Sequence, residues 1–102
     1  RMLLRDADVK VALGETLLTM GRSADARTAF TRVLRFDPTH AGAIFYDGVL
    51  AAGEKRYRDA IAAWQRVIDL EPAGEFARRA RREMRTAQDL LQVFGRRATV
   101  GV

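Results

Sequence analysis

Apolar residues recur every three or four positions in four segments of the chain, and short polar or glycine-containing stretches separate these segments. The four sets are Val9, Ala12, Leu13, Leu17 and Met20; Ala26, Ala29, Phe30, Val33 and Leu34; Ala43, Ile44, Tyr46, Val49 and Leu50; and Ala60, Ile61, Ala63, Trp64, Val67 and Ile68. This spacing places each set on one helix face, so it predicts four amphipathic helices of about 12–14 residues. Because no segment alternates strictly between apolar and polar residues, the sequence predicts no strand.

A fifth periodic segment, GEFARRARREMRTAQDLLQVF, carries a narrow apolar stripe among charged residues. The stripe consists of Phe76, Ala80, Met84, Ala87, Leu91 and Phe94. It predicts one helix over residues 75–95, because glycine, here Gly95, commonly ends helices. We expect residues 96–102 to form a flexible tail and residues 1–6 to form an N-terminal extension or linker.

Glycine and hydroxyl residues mark the ends of the predicted helices. Ser23 and Thr39 suit the N-cap position, where a side-chain oxygen accepts a hydrogen bond from an N–H of the next turn. Gly21 and Gly53 can adopt the positive φ that often follows a helix. These residues place helix boundaries at the breaks GRS, DP and AGEKR.

Two of the segments are copies of one another. ADARTAFTRVLRFDP ends at Pro38 and RDAIAAWQRVIDLEP ends at Pro72, and the two align without a gap. Since proline cannot continue a helix, each proline closes its unit. The chain is thereby divided into a first unit at residues 7–40 and a second unit at 41–74, followed by the helix at 75–95.

The two units resemble the tetratricopeptide repeat (TPR) family, whose unit is a helix–turn–helix of about 34 residues. The matching positions are Leu13, Gly14, Leu17, Ala26, Phe30 and Pro38 in the first unit and Ile44, Gly48, Ala51, Ala60, Trp64 and Pro72 in the second. Lys10 and Asp47 depart from the family pattern, and Leu17 replaces its usual aromatic residue, as does Ala51. The resemblance implies an all-α fold with five helices, a short right-handed solenoid of two repeats and a C-terminal capping helix.

The resemblance also implies a function, because TPR solenoids bind peptides or helices along a concave groove lined by the first helix of each unit. Carrying the groove offsets onto this chain gives Val11, Glu15, Leu18, Phe45, Tyr46, Val49, Arg79 and Glu83. We therefore expect a non-catalytic protein–protein interaction module, a scaffold or an assembly factor, with a protein or peptide partner. An alternative for Phe45 and Tyr46 is that they belong to the core between helices. The TPR subclass that clamps a C-terminal carboxylate uses Lys and Asn in this groove, so that mode is disfavoured here.

A second function hypothesis comes from a closer resemblance. The segment AAGEKRYRDAIAAWQRVIDLEP, followed by an arginine-rich helix, looks like TPR factors that handle apocytochromes in bacterial c-type cytochrome maturation. The alternative function is therefore a self-association unit of a larger bacterial assembly factor or of a cytochrome-maturation-type factor. The apolar residues Met2, Leu3 and Leu4 form an exposed N-terminal edge, which we expect to pack either against another copy, giving a homodimer, or against further repeats upstream.

Composition and charge narrow the choice of partner. The 102 residues are 48% hydrophobic and 30% charged, which is typical of one globular domain. The formal net charge is +5, and four arginines predict a cationic face on the fifth helix, namely Arg78, Arg81, Arg82 and Arg85. Such a face is either solvated or binds an acidic protein segment, nucleic acid or an anionic membrane. Since no nucleic-acid-binding motif accompanies it, we do not expect nucleic acid as the partner.

Residues suited to catalysis or metal binding are scarce. The chain has no cysteine, and its one histidine, His40, follows the predicted N-cap Thr39 and is expected on the surface. One histidine without thiolates does not provide a ligand set for a transition metal. Most carboxylates fall at predicted helix ends, where they complement the helix dipole. We therefore expect no enzyme activity, no catalytic residues, no metal and no cofactor.

The sequence contains no strong targeting signal. No apolar run approaches the roughly 20 residues that span a bilayer, and the opening RMLLRDADVK lacks the pattern of a signal peptide. The absence of cysteine is compatible with the bacterial cytoplasm and with the periplasm. Because the sequence begins with Arg1, we expect it to be cut from a longer chain, and any membrane anchor to lie upstream.

Overall fold

A computed structural model describes the backbone of residues 2–100 and the side chains of residues 6–94. The helices are α1 (Met2–Thr19), α2 (Ser23–Phe36), α3 (Ala41–Gly53), α4 (Tyr57–Leu70) and α5 (Glu75–Val100). Over residues 2–100 the chain contains these five helices and no strand. The predicted all-α fold with five helices is confirmed for that part of the chain.

The five helices pack in sequence order. Each helix contacts the next along the chain, and α3 also contacts both α1 and α5. The first helices of the two units, α1 and α3, therefore lie side by side with α5, whereas α2 and α4 contact only their sequence neighbours among the described residues. This order of neighbours is the one that a helical repeat requires.

Each unit is closed by an aromatic ring that lies against a glycine of the preceding helix. The ring of Phe30 on α2 lies against Gly14 on α1, where a β-carbon would overlap it. Trp64 on α4 lies against Gly48 on α3 in the same way. Both rings are fully buried, and the indole Nε1 of Trp64 donates a hydrogen bond to the carbonyl oxygen of Phe45 at 3.0 Å. The repeated glycine therefore lets the two helices of each unit approach closely.

The turns inside the two units have the same backbone conformation. Gly21 follows α1 with a φ of 80°, and Lys55, at the equivalent position of the second unit, follows α3 with a φ of 64°. The N–H of Gly21 bonds to the carbonyl of Leu18, and the N–H of Lys55 bonds to the carbonyl of Ala52. The sequence prediction was right for Gly21 and wrong for Gly53, which is the last helical residue of α3.

The observed N-caps differ from the predicted ones. Arg22, without a side-chain cap, precedes α2, and Ser23 is its first helical residue. His40 caps α3, since its Nδ1 accepts a hydrogen bond from the N–H of Ala43 at 3.2 Å. The predicted cap Thr39 instead donates its hydroxyl to Oδ1 of Asp37 in the preceding turn.

The capping role of His40 also connects two helices. Its Nδ1 is the acceptor for the helix N–H, so the proton of the neutral ring lies on Nε2, which is 3.0 Å from Oδ1 of Asp8 on α1. The imidazole is largely enclosed, with 13% of its side-chain surface exposed. The expectation that His40 is a surface residue was therefore wrong.

The two outer helices are longer than predicted. α1 begins at Met2, so most of the predicted extension at residues 1–6 is helical. α5 continues through Gly95 to Val100, so the prediction that it ends at Gly95 was wrong. Glycine permits a helix end without forcing one, and the arginines and alanine that follow are good helix formers. Residues 101 and 102 of the predicted tail and the side chains of residues 2–4 lie outside the described part. No helix within residues 2–100 has the length and hydropathy needed to cross a membrane.

Candidate partner-binding groove

The predicted groove residues lie on one concave surface formed by α1, α3 and α5. Two concavities of about 530 Å³ and 370 Å³ make up this surface, which we call the groove. Seven of the eight predicted residues line the larger concavity, and Val11 lines the smaller one. Glu15, Tyr46 and Arg79 line both, so they mark the place where the two concavities meet.

The floor of the groove belongs to the hydrophobic core. Phe45 and Tyr46 retain only 2% and 4% of their surface. The ring of Tyr46 stacks on Phe30 at 5.3 Å between centroids, and Phe45 lies 6.2 Å from the Trp64 ring. The packing of these two residues therefore fits the alternative that they belong to the core between helices. A substitution of either would change the stability of the fold as well as any binding in the groove.

Arg79 of α5 reaches over this aromatic floor. Its guanidinium carbon lies 4.6 Å from the ring centroid of Phe45 and 5.4 Å from those of Tyr46 and Phe76. A cation is attracted to aromatic faces at such distances, and more strongly when it is partly desolvated, as the half-buried Arg79 is. The three rings therefore hold the guanidinium in a fixed position at the centre of the groove.

A chain of hydrogen bonds crosses the floor from α5 to α1. Nη1 of Arg79 donates to the hydroxyl oxygen of Tyr46 at 3.1 Å, and the Tyr46 hydroxyl donates to the carboxylate of Glu15. Burial, and then the hydrogen bond to Glu15, raises the pKa of the Tyr46 phenol, while Arg79 acts in the opposite direction. One residue from each of α1, α3 and α5 is thus fixed by the same polar network.

The walls of the groove are more accessible than its floor. Leu18 on α1 and Val49 on α3 are half-buried and form an apolar strip. Thr19, Arg82 and Glu83 are exposed around this strip. A strip of aliphatic side chains with a charged rim is suited to an amphipathic segment of another protein.

The four arginines of the predicted cationic face are all exposed on α5, and their guanidinium groups have different neighbours. Arg78 donates to the carbonyl of Ala73 at 3.4 Å, and Arg81 donates to the carbonyl of Pro72 at 3.0 Å, so both contact the α4–α5 turn. Arg82 lines the larger concavity of the groove instead. Arg85 is exposed. Positions 78, 81, 82 and 85 recur at three- and four-residue spacing and therefore share one side of α5, although their guanidinium groups end at the turn, in the groove or in solvent.

A second feature is an apolar stripe of exposed side chains that runs along α1 to Met20, the residue after its end. Val9, Leu13 and Met20 are exposed to 61%, 53% and 62%. In the second unit the positions equivalent to Leu13 and Met20 hold Asp47 and Glu54. We call Val9, Leu13 and Met20 the α1 stripe. The sequence did not predict this exposed stripe, because the apolar spacing assigned all three residues to the buried face of the first helix.

No protein-family model matches the chain, and no characterised protein matches its sequence. The resemblance to TPR units therefore depends on the residues quoted above and stays a prediction. Within residues 6–94 no group of three or more His, Asp or Glu side chains is arranged to hold a metal ion.

Proposed function

We propose that the protein is a non-catalytic, TPR-like interaction module that binds a peptide or helix of a partner protein in the groove. The observation that carries this proposal is the convergence of α1, α3 and α5 on one concavity of about 530 Å³. Its apolar strip, Leu18 and Val49, remains half-exposed although the rest of α3 is largely buried. A scaffold or assembly role follows from such a surface.

Preorganisation of the groove supports the proposal. The hydrogen bonds from Arg79 through Tyr46 to Glu15 fix the floor before any partner arrives. Binding to a preformed surface costs less ordering of side chains than binding to a flexible one. The groove is therefore suited to a partner that adopts one defined pose.

The experiment uses the absence of cysteine in the chain. In a Thr19→Cys variant the single thiol lies on the exposed wall of the groove, where a bulky disulfide-linked adduct obstructs the larger concavity. Peptides selected on the wild-type protein from a display library serve as the probe. We expect the adduct to abolish their binding and reduction of the disulfide to restore it.

The matched control is Gln65→Cys, whose thiol lies on the exposed side of α4. The same adduct at this position should leave binding unchanged. Equal loss of binding from both adducts, or none from the Thr19→Cys adduct, would contradict a binding site in the groove.

A second candidate function is self-association, and the α1 stripe favours it. Three large apolar side chains on one exposed face are costly to leave in water and are typical of a contact surface. The double variant Leu13→Asp and Met20→Glu gives α1 the residues that α3 and the turn after it have at the equivalent positions. Light scattering over a rising concentration series should show a dimer for the wild type and a monomer for the variant. A wild type that stays monomeric at the highest concentration would exclude this candidate.

The self-association candidate agrees with the closer resemblance to factors of bacterial c-type cytochrome maturation. In that proposal the chain is a unit of a larger bacterial assembly factor in the cytoplasm or periplasm. Its support is the single segment AAGEKRYRDAIAAWQRVIDLEP and the arginine-rich helix after it.

A further inference from the structure

The charge of the groove is opposite in sign to the charge of the chain. The protein carries a formal net charge of +5. Among the described side chains of residues 6–94, the two concavities of the groove are lined by four carboxylates, those of Asp8, Glu15, Glu75 and Glu83, and by two guanidinium groups, those of Arg79 and Arg82. The groove lining is therefore acidic within a basic protein.

The guanidinium of Arg79 already has partners within the protein. Its guanidinium lies against three aromatic rings and donates to Tyr46, which donates in turn to Glu15. A cation held in this way attracts an external anion less strongly than a free one, because Glu15 already lies at the end of its hydrogen-bond chain. Arg79 is consequently a structural part of the floor more than an anchor for an acidic partner.

The acidic character increases towards the N-terminal ends of α3 and α5. Of the charged side chains that the structure describes, the smaller concavity is lined by Asp8, Glu15, Glu75 and Arg79. A neighbouring depression shares Asp8 with it and adds Asp37 and Glu71. At the opposite end of the groove, Arg82 lies beside Glu83 and the apolar strip. The groove thus has one acidic end and one apolar end of mixed charge.

We propose that the groove selects a cationic amphipathic segment of a partner protein. This inference rests on the proposed function and adds the chemistry of the ligand. Apolar side chains of the segment pack on Leu18 and Val49, and its lysine or arginine side chains lie beside Asp8 and Glu75. Complementary charge of this kind fixes the register of the bound segment and excludes acidic partners.

The test is a selection of peptides on the intact wild-type protein. The display library contains peptides of about 15 residues, roughly 22 Å long as helices, with lysine and glutamate equally frequent at the variable polar positions. We expect the enriched peptides to carry a positive net charge. An enriched pool that is neutral or acidic would overturn the inference while leaving a peptide-binding groove in place.

Charge-neutralising variants then locate the effect. Asp8→Asn with Glu75→Gln removes two negative charges but keeps an oxygen acceptor for His40. We expect this double variant to weaken binding of an enriched peptide about five- to tenfold at low salt. Asp69→Asn, on the exposed side of α4, is the matched control and should change the affinity less than about twofold.

The possible failures are distinguishable. A cationic pool whose affinity does not respond to the Asp8 and Glu75 variants would overturn the inference, because its charge would then be recognised elsewhere. Enrichment that is unchanged when the Thr19→Cys adduct fills the groove would instead overturn the proposed function itself. Loss of enrichment with that adduct, together with a charge-sensitive cationic pool, supports both.

Discussion

Trp64 occupies the space that a side chain at Gly48 would need, since a β-carbon at Gly48 would lie 2.5 Å from Nε1 of the indole. The same nitrogen is held by its hydrogen bond to the carbonyl of Phe45, so the ring cannot move aside freely. We therefore expect Gly48→Ala to lower the free energy of unfolding by about 2 kcal/mol, the overpacking cost exceeding the gain in helix propensity.

The matched control is Gly53→Ala at the exposed end of α3, where a β-carbon would have no neighbour within 4 Å. This variant should raise the free energy of unfolding by about 0.5 kcal/mol through helix propensity alone. Denaturant titration compares the two variants. Equal effects from both would show that the close approach of α3 and α4 does not depend on Gly48.

Lys55 has a conformational cost that Gly21 avoids at the equivalent turn position. Both have a positive φ, which a residue with a β-carbon adopts at a cost of about 1 kcal/mol or more. Lys55→Gly should therefore stabilise the protein by about 0.5 kcal/mol after the entropy of glycine is included, and Gly21→Ala should destabilise it by about 1 kcal/mol. Thermal unfolding measures both, and destabilisation by Lys55→Gly would mean that the lysine side chain has an essential contact.

His40 stabilises the first turn of α3 through its Nδ1. His40→Ala leaves the N–H of Ala43 without its acceptor, so we expect a loss of about 1 kcal/mol in the free energy of unfolding. His40→Asn should recover most of this loss, because asparagine is a good N-cap. Asp8→Ala removes only the exposed partner of the ring and should cost less than about 0.5 kcal/mol. A larger effect from Asp8→Ala than from His40→Ala would assign the stability to the inter-helix contact instead.

Tyr46 should give the protein a late step in alkaline titration. Burial and the hydrogen bond to Glu15 raise the pKa of its phenol above the usual value of about 10. Because the folded state favours the neutral phenol, its contribution to folding is complete below about pH 10 and is lost as the pH rises through the raised pKa. Ultraviolet absorbance of phenolate should therefore show a late component that Tyr46→Phe removes. A late component that persists in the Tyr46→Phe variant would contradict the burial argument.

The sequence predicted the helices well because their signal is local. The apolar spacing and the internal repeat indicated five helices, and all five are present. Helix ends were predicted less well, since they depend on contacts across the fold. Thr39 has the better intrinsic cap propensity, yet His40 is the N-cap of α3, and its ring also contacts Asp8 of α1. The positive φ at Lys55 was not predicted, because glycine adopts positive φ most readily and Gly53 was therefore chosen. The 34-residue repeat nevertheless makes position 55 the equivalent of Gly21.

The repeat offsets predicted which residues line the groove, but they did not predict the contacts that hold these residues in place. All eight predicted residues line one surface, because equivalent positions of α1, α3 and α5 must face the same side. The hydrogen bonds among Glu15, Tyr46 and Arg79 join residues that are far apart in the sequence, so no local pattern shows them. The burial of Phe45 and Tyr46 likewise depends on Phe76 of α5, which lies 5.5 Å and 5.9 Å from their rings.

The central claim is that a partner segment binds in the groove, and amide chemical shifts measured by NMR test it most directly. The protein is titrated with one peptide from the pool selected on the wild type. We expect the signals that move to come from the groove-lining parts of α1, α3 and α5, above all Leu18, Val49 and Glu83. Movement confined to α2 and α4, or to the α1 stripe, would contradict the claim.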